Sequence, residues 1–474
     1  MSLKKKKILD LIVVGSGIAG LNFIDKYLEK NKKINVIAPS INKILKPELN
    51  QTIKVLPSQM RGSYKNVENF YYANNIKLKN NCKAIGSLSF GGLSSYWGLQ
   101  MNNYINCDQK FLKKKNIRSI EKYFIEFLKK TNLLGEAKFG KKKTYKNNFN
   151  IPEELNNLNK IKDKDFECRK PILAFMCKKN FGGDLNKLNE KKQKLTAENF
   201  YKKIKKKNNI IFHNCYLQQI NKKKNLIELT CIKKKKVKKF LVKKIVFATG
   251  TIATTKILMN YLNIKNEVKI KHHPRLLSVF LSKKKFNYNL GFTPSLLQII
   301  SKSTQDYFTA DLRPGNKLIT KSIIDSFPFM APLKYLINFL RNRLIFSNIL
   351  LDSSHSNLYL KKNNDKFDLF SKKEETKSVL KKRNKKIFNF LVKKKIIYPL
   401  LYKTFYPGNG ADYHYFGSIP FKNKGKLAVN NNCQLNSSKN IYVIDGSVFD
   451  FKKNKYPLGI VAANARRIAK QLSK

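Results

Sequence analysis

The run Ile8–Val14 is apolar and rich in β-formers, which suits a strand buried on both faces of a parallel sheet. Gly15, Gly17 and Gly20 follow at once in GxGxxG spacing. Apolar positions at Ile18, Leu21, Phe23, Ile24 and Leu28 then mark an amphipathic helix. Ile34 to Ala38 predicts the next strand. From Asp108 to Lys203 the chain is polar and lysine-rich, with helical patterning. Ile210–Phe212 then reads as a strand, and Leu226–Ile232 and Val237–Val242 read as a hairpin across the lysines between them. Lys244–Gly250 (KIVFATG) predicts a further buried strand. It leads into TIATTKILM, a helix start with small residues and a threonine cap. Mixed strand and helix patterns fill Pro274 to about Pro420, and strand–turn–helix patterning returns from Ile441. No internal repeat of fixed period is present.

The first strand, glycine turn and helix form a unit with a chemical meaning. Gly15 permits the tight turn, Gly17 lets backbone approach a pyrophosphate, and Gly20 lets helix and strand pack closely. The helix N-terminus would present N–H groups and a positive partial charge to the phosphates. The alternative is an ordinary glycine turn, which the strand–turn–helix context disfavours. One expected part is missing. The second strand ends in Ala38-Pro39-Ser40 where Asp or Glu would hold the adenosine ribose, and no acid lies between Lys30 and Glu48. Ser40 could give a weaker hydrogen bond, while Lys43 and Lys46 would suit the 2′-phosphate of NADP.

Charge changes this picture less than its size suggests. The 474 residues, enough for two or three domains, carry 97 Lys and Arg against 30 Asp and Glu. A nucleic-acid or anionic-membrane partner must therefore be weighed. The lysines, however, fall in short clusters along the whole chain, from Lys4–Lys7 to Lys393–Lys395, beside abundant Asn and Ile. That pattern reads as solvated faces in a compositionally biased chain, and no nucleic-acid motif accompanies it. The seven cysteines form no CxxC, which argues against a zinc or iron–sulfur site and fits a reducing compartment, here the cytoplasm. The basic start followed by apolar residues imitates a signal peptide, but the same run is better explained as the first strand. No apolar run is long enough to span a membrane.

Two further stretches join the first. FGGLSSYWG at Phe90–Gly98 is glycine-rich. The tail runs from YHYFGSIPF at Tyr413–Phe421 to IDGSVFDFKKNKYPLGIVAANARRIA at Ile444–Ala469. Together the three resemble the glucose–methanol–choline (GMC) oxidoreductase family of FAD enzymes, in the style of its choline-dehydrogenase-like members. The resemblance covers residues 8–40, 84–104, 210–275 and 412–470. It implies an α/β fold in which a discontinuous Rossmann-like FAD-binding domain (1–110, 205–275 and 421–474) carries an inserted substrate domain of mixed sheet and helices (111–204 and 276–420). It also implies oxidation of an alcohol, sugar or polyol to a carbonyl, with hydride passing to the flavin and a histidine taking the hydroxyl proton. His414 in YHYFGS matches that base. Tyr456, before Pro457, stands where the family carries a second His or Asn. It would either hydrogen-bond a substrate oxygen or only pack, since a phenol with a reference pKa of about 10 is a poor base at neutral pH. Gly91, Gly92, Ser94, Trp97, Gly98, Asp445, Gly446 and Pro457 match cofactor-contacting positions. Tyr96 occupies the loop where some relatives attach FAD through a histidine, so noncovalent FAD is expected.

Two substrate-half segments, Pro332–Leu351 and Lys385–Tyr406, pattern as basic amphipathic helices. Such helices lie in an anionic membrane interface or cover a core; the former would make peripheral membrane contact and a lipid-linked substrate natural. The leading expectation is a CH–OH-oxidising flavoenzyme whose electron acceptor the sequence leaves unspecified. The competing readings are a redox-inactive basic protein on this fold, binding membrane or nucleic acid, and an NADP-using Rossmann enzyme. The flavin-type loop and tail disfavour the latter.

Overall fold

The computed structural model describes residues 8–38, 70–80, 82–95, 97–102, 112–140, 143–178, 181–205, 209–233, 236–286, 295–315, 324, 328–372, 376–400, 402–453 and 456–474. The opening apolar run is strand β1 (Ile8–Val14), followed by helix α1 (Ile18–Tyr27) and strand β2 (Ile34–Ala38). β2 pairs in parallel with β1 and with β3 (Ile210–Asn214), which runs two residues beyond the expected strand. β4 (Tyr216–Lys223) and β5 (Leu226–Lys233) form a hairpin that continues antiparallel into β6 (Lys236–Phe247). The sheet order is β4-β5-β6-β1-β2-β3, with the C-terminal strand Ile441–Val443 paired to β6.

β6 corrects the sequence reading. Val237–Val242 and Lys244–Phe247 are not two strands but one strand of 12 residues. Its first part pairs antiparallel with β5, and its second part pairs parallel with β1 up to Val14↔Phe247. No glycine, proline or turn residue breaks FLVKKIVF, so the strand serves both partners. The expected threonine cap is also absent. Gly250, at φ +84°, is the N-cap of helix α2 (Thr251–Tyr261), and the Thr251 hydroxyl donates instead to the Tyr415 carbonyl at 2.6 Å.

The turn between β1 and α1 is where glycine is obligatory. Gly15 sits at φ +111°, and a Cβ there would overlap the Ala248 carbonyl oxygen; a Cβ on Gly20 would overlap the Gly15 carbonyl oxygen. Three elements therefore meet at van der Waals limits at the carboxyl end of the sheet.

A second, antiparallel sheet contains β7 (Arg275–Leu281), β8 (Leu297–Ser301), β9 (Phe308–Pro314) and β10 (Leu344–Leu351). Its order is Lys403–Phe405, β7, β10, β9, β8, Phe166–Arg169. The expected helix Pro332–Leu351 is corrected here. Only Lys334–Leu340 is α-helical, and Leu344–Leu351 is a central, largely buried strand. The run LIFSNILL fits either period alone; pairing with β7 and β9 decides it. Lys385–Tyr406 likewise divides into the end of the helix Thr376–Lys393 and the edge strand Lys403–Phe405. Register lines up Leu277, Asn348, Asp311 and Gln298 across the sheet, which puts four side chains on one face.

The C-terminal helix α3 (Leu458–Leu472) returns across α1 and the helix Lys114–Thr131. Arg466, fully enclosed, binds Asp25 at 2.7 Å and Glu126 at 2.6 Å. Burial opposes the ionised form of Asp25, but Lys130 and Arg466 hold it below its ordinary pKa. Arg466→Met should destabilise the protein by about 1–3 kcal/mol near neutral pH, because Asp25 and Glu126 each lose one cation while Lys130 and Lys26 still reach them. The deficit should shrink as both acids protonate below the ordinary carboxylate range of about 4. Thermal denaturation across pH, with wild type alongside, measures it.

Candidate active site

One cavity of about 610 Å³ runs from the carboxyl ends of β1 and β2 to the face of the second sheet. Its near end is lined by Val14 to Ala19, Ile37 and Ala38. Its middle is walled by Gly91–Ser94, Trp97 and Gly98, and its far end by Arg275, Arg313, Asn348, His414 and Tyr456. Asp445, Gly446 and Pro457 also line it. Gly20 does not; it packs α1 against β1. Ser40 and Tyr96 lie outside the described residues. At the end where β2 closes on Ala38, no carboxylate is among the described lining residues.

The two glycine loops are latched together. Ser16 Oγ accepts the Gly91 N–H at 3.0 Å. Ser94 Oγ accepts the Ile18 N–H at 3.1 Å and donates to the Gly91 carbonyl at 2.6 Å. Gly91 and Gly92 both have positive φ, and a Cβ on Gly91 would overlap Ala197 and Ser95. Trp97 is pinned by its indole N–H to the Leu195 carbonyl at 3.0 Å. The space a Gly98 Cβ would take lies 3.5 Å from the Arg313 guanidinium.

Asp445 has a structural duty that the sequence did not reveal. Its buried carboxylate accepts from the Gly250 N–H at 3.0 Å, the Thr254 hydroxyl at 2.5 Å, and the Ser447 N–H and hydroxyl at 3.1 and 2.6 Å. Burial still leaves its pKa above the ordinary value, despite those donors. It thus holds chain together beside the cavity, and its neighbour Gly446 completes the wall.

His414 sits on a strap fixed by a second buried carboxylate. Asp412 accepts the His273 N–H at 2.9 Å and the His414 N–H at 3.3 Å, and its other oxygen pairs with His272 Nδ1 at 2.8 Å. Burial pushes its pKa up, but the charges of His272 and His414 and the His272 hydrogen bond overcome this and keep it low. Tyr413, between the two, adopts φ +65° and stacks under Arg275, whose guanidinium lies 4.9 Å from the ring centre. The rings of His414 and Tyr456 meet edge to face, 5.2 Å apart.

The Tyr456 hydroxyl donates to Asp311 and accepts from Asn348 Nδ2 at 3.4 Å. Asp311 also takes bonds from Gln100 at 2.7 Å and Gln298 at 3.3 Å, with Arg313 3.8 Å away. Burial pushes its pKa up to about 6 against all of these. Sequence reasoning missed Asp311, Asn348, Arg313, His272 and Asp412. The available signals were an Asp and an Arg two apart in the apolar strand FTADLRP, and a His-His pair before Pro274.

The parallel sheet with its glycine turn, the discontinuous chain path and the second sheet closing the cavity define an α/β fold with a Rossmann-like half. The sequence matches no family model, and no curated protein matches significantly. Among solved structures the chain is similar to a pyridoxine 4-oxidase from Mesorbium loti. That likeness has a TM-score of 0.57 at 11% identity and covers 98% of this chain and 99% of that one. At that identity it speaks for the fold.

Asp311 has a pH signature. Its folded pKa of about 6 exceeds the reference 3.8, so its favourable contribution is complete below 3.8 and is lost as pH rises through about 6. At 1.36 kcal/mol per unit this reaches at most about 3 kcal/mol. Asp311→Asn should therefore melt progressively higher relative to wild type as pH rises across that window. A constant offset in paired melting curves would show that Asp311 does not titrate there.

Proposed function

We propose that the chain is an FAD-dependent oxidoreductase that oxidises a CH–OH group of an alcohol, sugar or polyol, with FAD held noncovalently and His414 as the base. The observation that carries this reading is the continuity of the cavity. It joins the glycine turn at Gly15–Ile18 to the His414–Tyr456 pair beside the second sheet.

The residues present fit the cofactor. The α1 N-terminus opens into the cavity, and a Cβ on Gly17 would lie 3.6 Å from the Gly91 carbonyl oxygen and 3.8 Å from Ser94 Oγ, at ordinary contact distance from the opposite loop. Gly15–Ile18 would hold the pyrophosphate, Ala38 and Leu217 would flank the adenosine, and Gly91–Ser94 with Trp97 would flank the ring system. Bound FAD would supply the hydride acceptor.

The chain's own part is proton handling and positioning. A neutral imidazole nitrogen of His414 accepts the hydroxyl proton; such a group needs little tuning near neutral pH. The Asp412 carboxylate faces the positive charge that then appears on the ring and stabilises it. Tyr456 is a positioning residue. Its hydroxyl hydrogen is engaged by Asp311, so it can donate to a substrate oxygen only when Asp311 holds a proton. The noncovalent cofactor rests on the absence of a histidine at Tyr96.

Purified protein should be yellow and release its flavin on acid precipitation. Protein that stays colourless with added FAD sinks the reading. His414→Ala should retain FAD yet slow anaerobic single-turnover flavin reduction by about 10²–10⁴, or roughly 3–5 kcal/mol of barrier. His213→Ala should leave that step unchanged, because His213 lies on β3 and bonds Asn35 at 2.9 Å. Tyr456→Phe should slow it about tenfold or less, the scale of one lost hydrogen bond. Reduction of the His414→Ala flavin at the wild-type rate would remove His414 from the base role.

A further inference from the structure

Away from the cavity, exposed apolar side chains concentrate at one end of the second sheet. The short helix Lys334–Leu340 buries Ile337, half-buries Leu340 and turns three apolar residues outward: Tyr335 is 86% exposed, Phe339 83% and Leu336 52%, with Leu333 just before it at 46%. Tyr398 and Leu400 are exposed on a neighbouring segment. Backbone bonds join these pieces. Ser282 N–H reaches the Arg343 carbonyl at 2.7 Å, Phe286 N–H the Asn342 carbonyl at 2.7 Å, and Tyr398 N–H the Leu281 carbonyl at 2.9 Å.

The charge on the same three segments has one sign. Residues 281–286, 328–345 and 393–405 hold three, three and four lysines or arginines respectively, and no aspartate or glutamate. Two of these cations reach acids outside the segments, Lys284 to Glu154 at 3.8 Å and Lys394 to Asp163 at 3.4 Å. Lys283 lies 5.8 Å from the Tyr398 ring centre, so cation and aromatic are interleaved.

We propose that this end of the second sheet docks on an anionic phospholipid surface. Leu333, Tyr335, Leu336 and Phe339 would sit at the headgroup–acyl boundary, and the surrounding lysines and arginines would lie against lipid phosphates and carboxylates. Both halves of the patch are needed for this choice. A nucleic acid would engage the cations but leave the leucines and phenylalanine without a partner. A second copy of the chain would cover the apolar residues but press segments that hold only positive charge against their equals. The protein lies on the bilayer rather than across it, since no helix among the described residues is long and apolar enough to span. Lys403 to Phe405, just beyond Leu400, line the cavity, so the docking face adjoins the cavity wall. The proposal stands independently of the redox chemistry, because its test reads binding alone.

The full chain is sedimented with vesicles of phosphatidylcholine alone, and with vesicles containing phosphatidylserine, at about 150 mM salt. Binding to the anionic vesicles only is expected. The variant Tyr335→Ser/Leu336→Ser/Phe339→Ser changes exposed positions and should keep the wild-type melting temperature while binding at least about tenfold more weakly. Lys283→Glu/Lys285→Glu should weaken binding and make it less salt-dependent. Hydrogen exchange on the wild type, which needs no variant, should show new protection confined to residues 328–343 and 396–400 when anionic vesicles are added. Wild-type binding by the serine variant would mean attraction through net charge alone and would overturn the proposal. So would failure to bind phosphatidylserine vesicles, protection elsewhere, or self-association that the serine variant abolishes without vesicles.

Discussion

The enclosed carboxylate of Asp445 is the junction on which the site depends. Its four donors come from the turn before α2, from α2 itself and from Ser447, so it ties the end of β6 to the C-terminal strand. The strap that carries His414 is then stitched to both. The Thr251 hydroxyl holds Tyr415, Gly417 N–H reaches the Gly446 carbonyl at 3.3 Å, and Ile419 N–H reaches the Ser447 carbonyl at 2.9 Å. A carboxylate taken from water must be repaid with several good hydrogen bonds. Asp445 finds them only when the start of α2 meets the C-terminal turn, two segments 195 residues apart, so its burial fixes the junction beside the cavity.

The far end of the cavity sets two more buried carboxylates against each other. Asp412 faces His272, takes two backbone N–H groups and stays below the ordinary carboxylate range. Asp311 has neutral amides and a phenol as its near donors, Arg313 is 3.8 Å off, and burial raises it to about 6. Between them stand His414 and Tyr456, ring against ring. A fixed anion on one side and a titrating acid on the other give the pair two electrical environments. In the proposed reaction the fixed anion serves the ring that gains a proton. The titrating acid decides whether the neighbouring phenol points its hydrogen inward or is free to turn it toward a ligand.

What the sequence disclosed was local. A strand, three glycines and a helix within a few residues specify the first turn, where two of the glycines answer a close backbone: Gly15 meets Ala248 and Gly20 meets Gly15. The family-like tail placed His414 and Tyr456 on the same cavity for a similar reason, being short and rich in turn residues. The second sheet was hidden. Leu344–Leu351 follows a helical segment without a breaker, and its strand identity comes from β7 and β9, far away in sequence. The polar row Gln298, Asp311 and Asn348 exists only through cross-strand register, which periodicity within one segment does not report. The His272–Asp412 pair joins residues 140 apart.

The composition explains why these acids matter more than the lysines that dominate the chain. With 97 basic residues to 30 acidic ones, a lysine cluster distinguishes almost no position from another, and an exposed lysine pair adds little to stability. An acid is scarce, and a buried acid must be held by something specific. Asp25 is held by Arg466, Asp311 by Tyr456, Asp412 by His272 and Asp445 by Gly250, across 441, 145, 140 and 195 residues respectively. Each closes a long loop of chain that a strongly self-repelling polymer would otherwise keep open. In a protein this basic, the excess of positive charge is carried at the surface, where a patch such as 328–343 can give it a use. The few negative charges inside determine where the chain folds back on itself, and so where His414 and Tyr456 come to face one cavity.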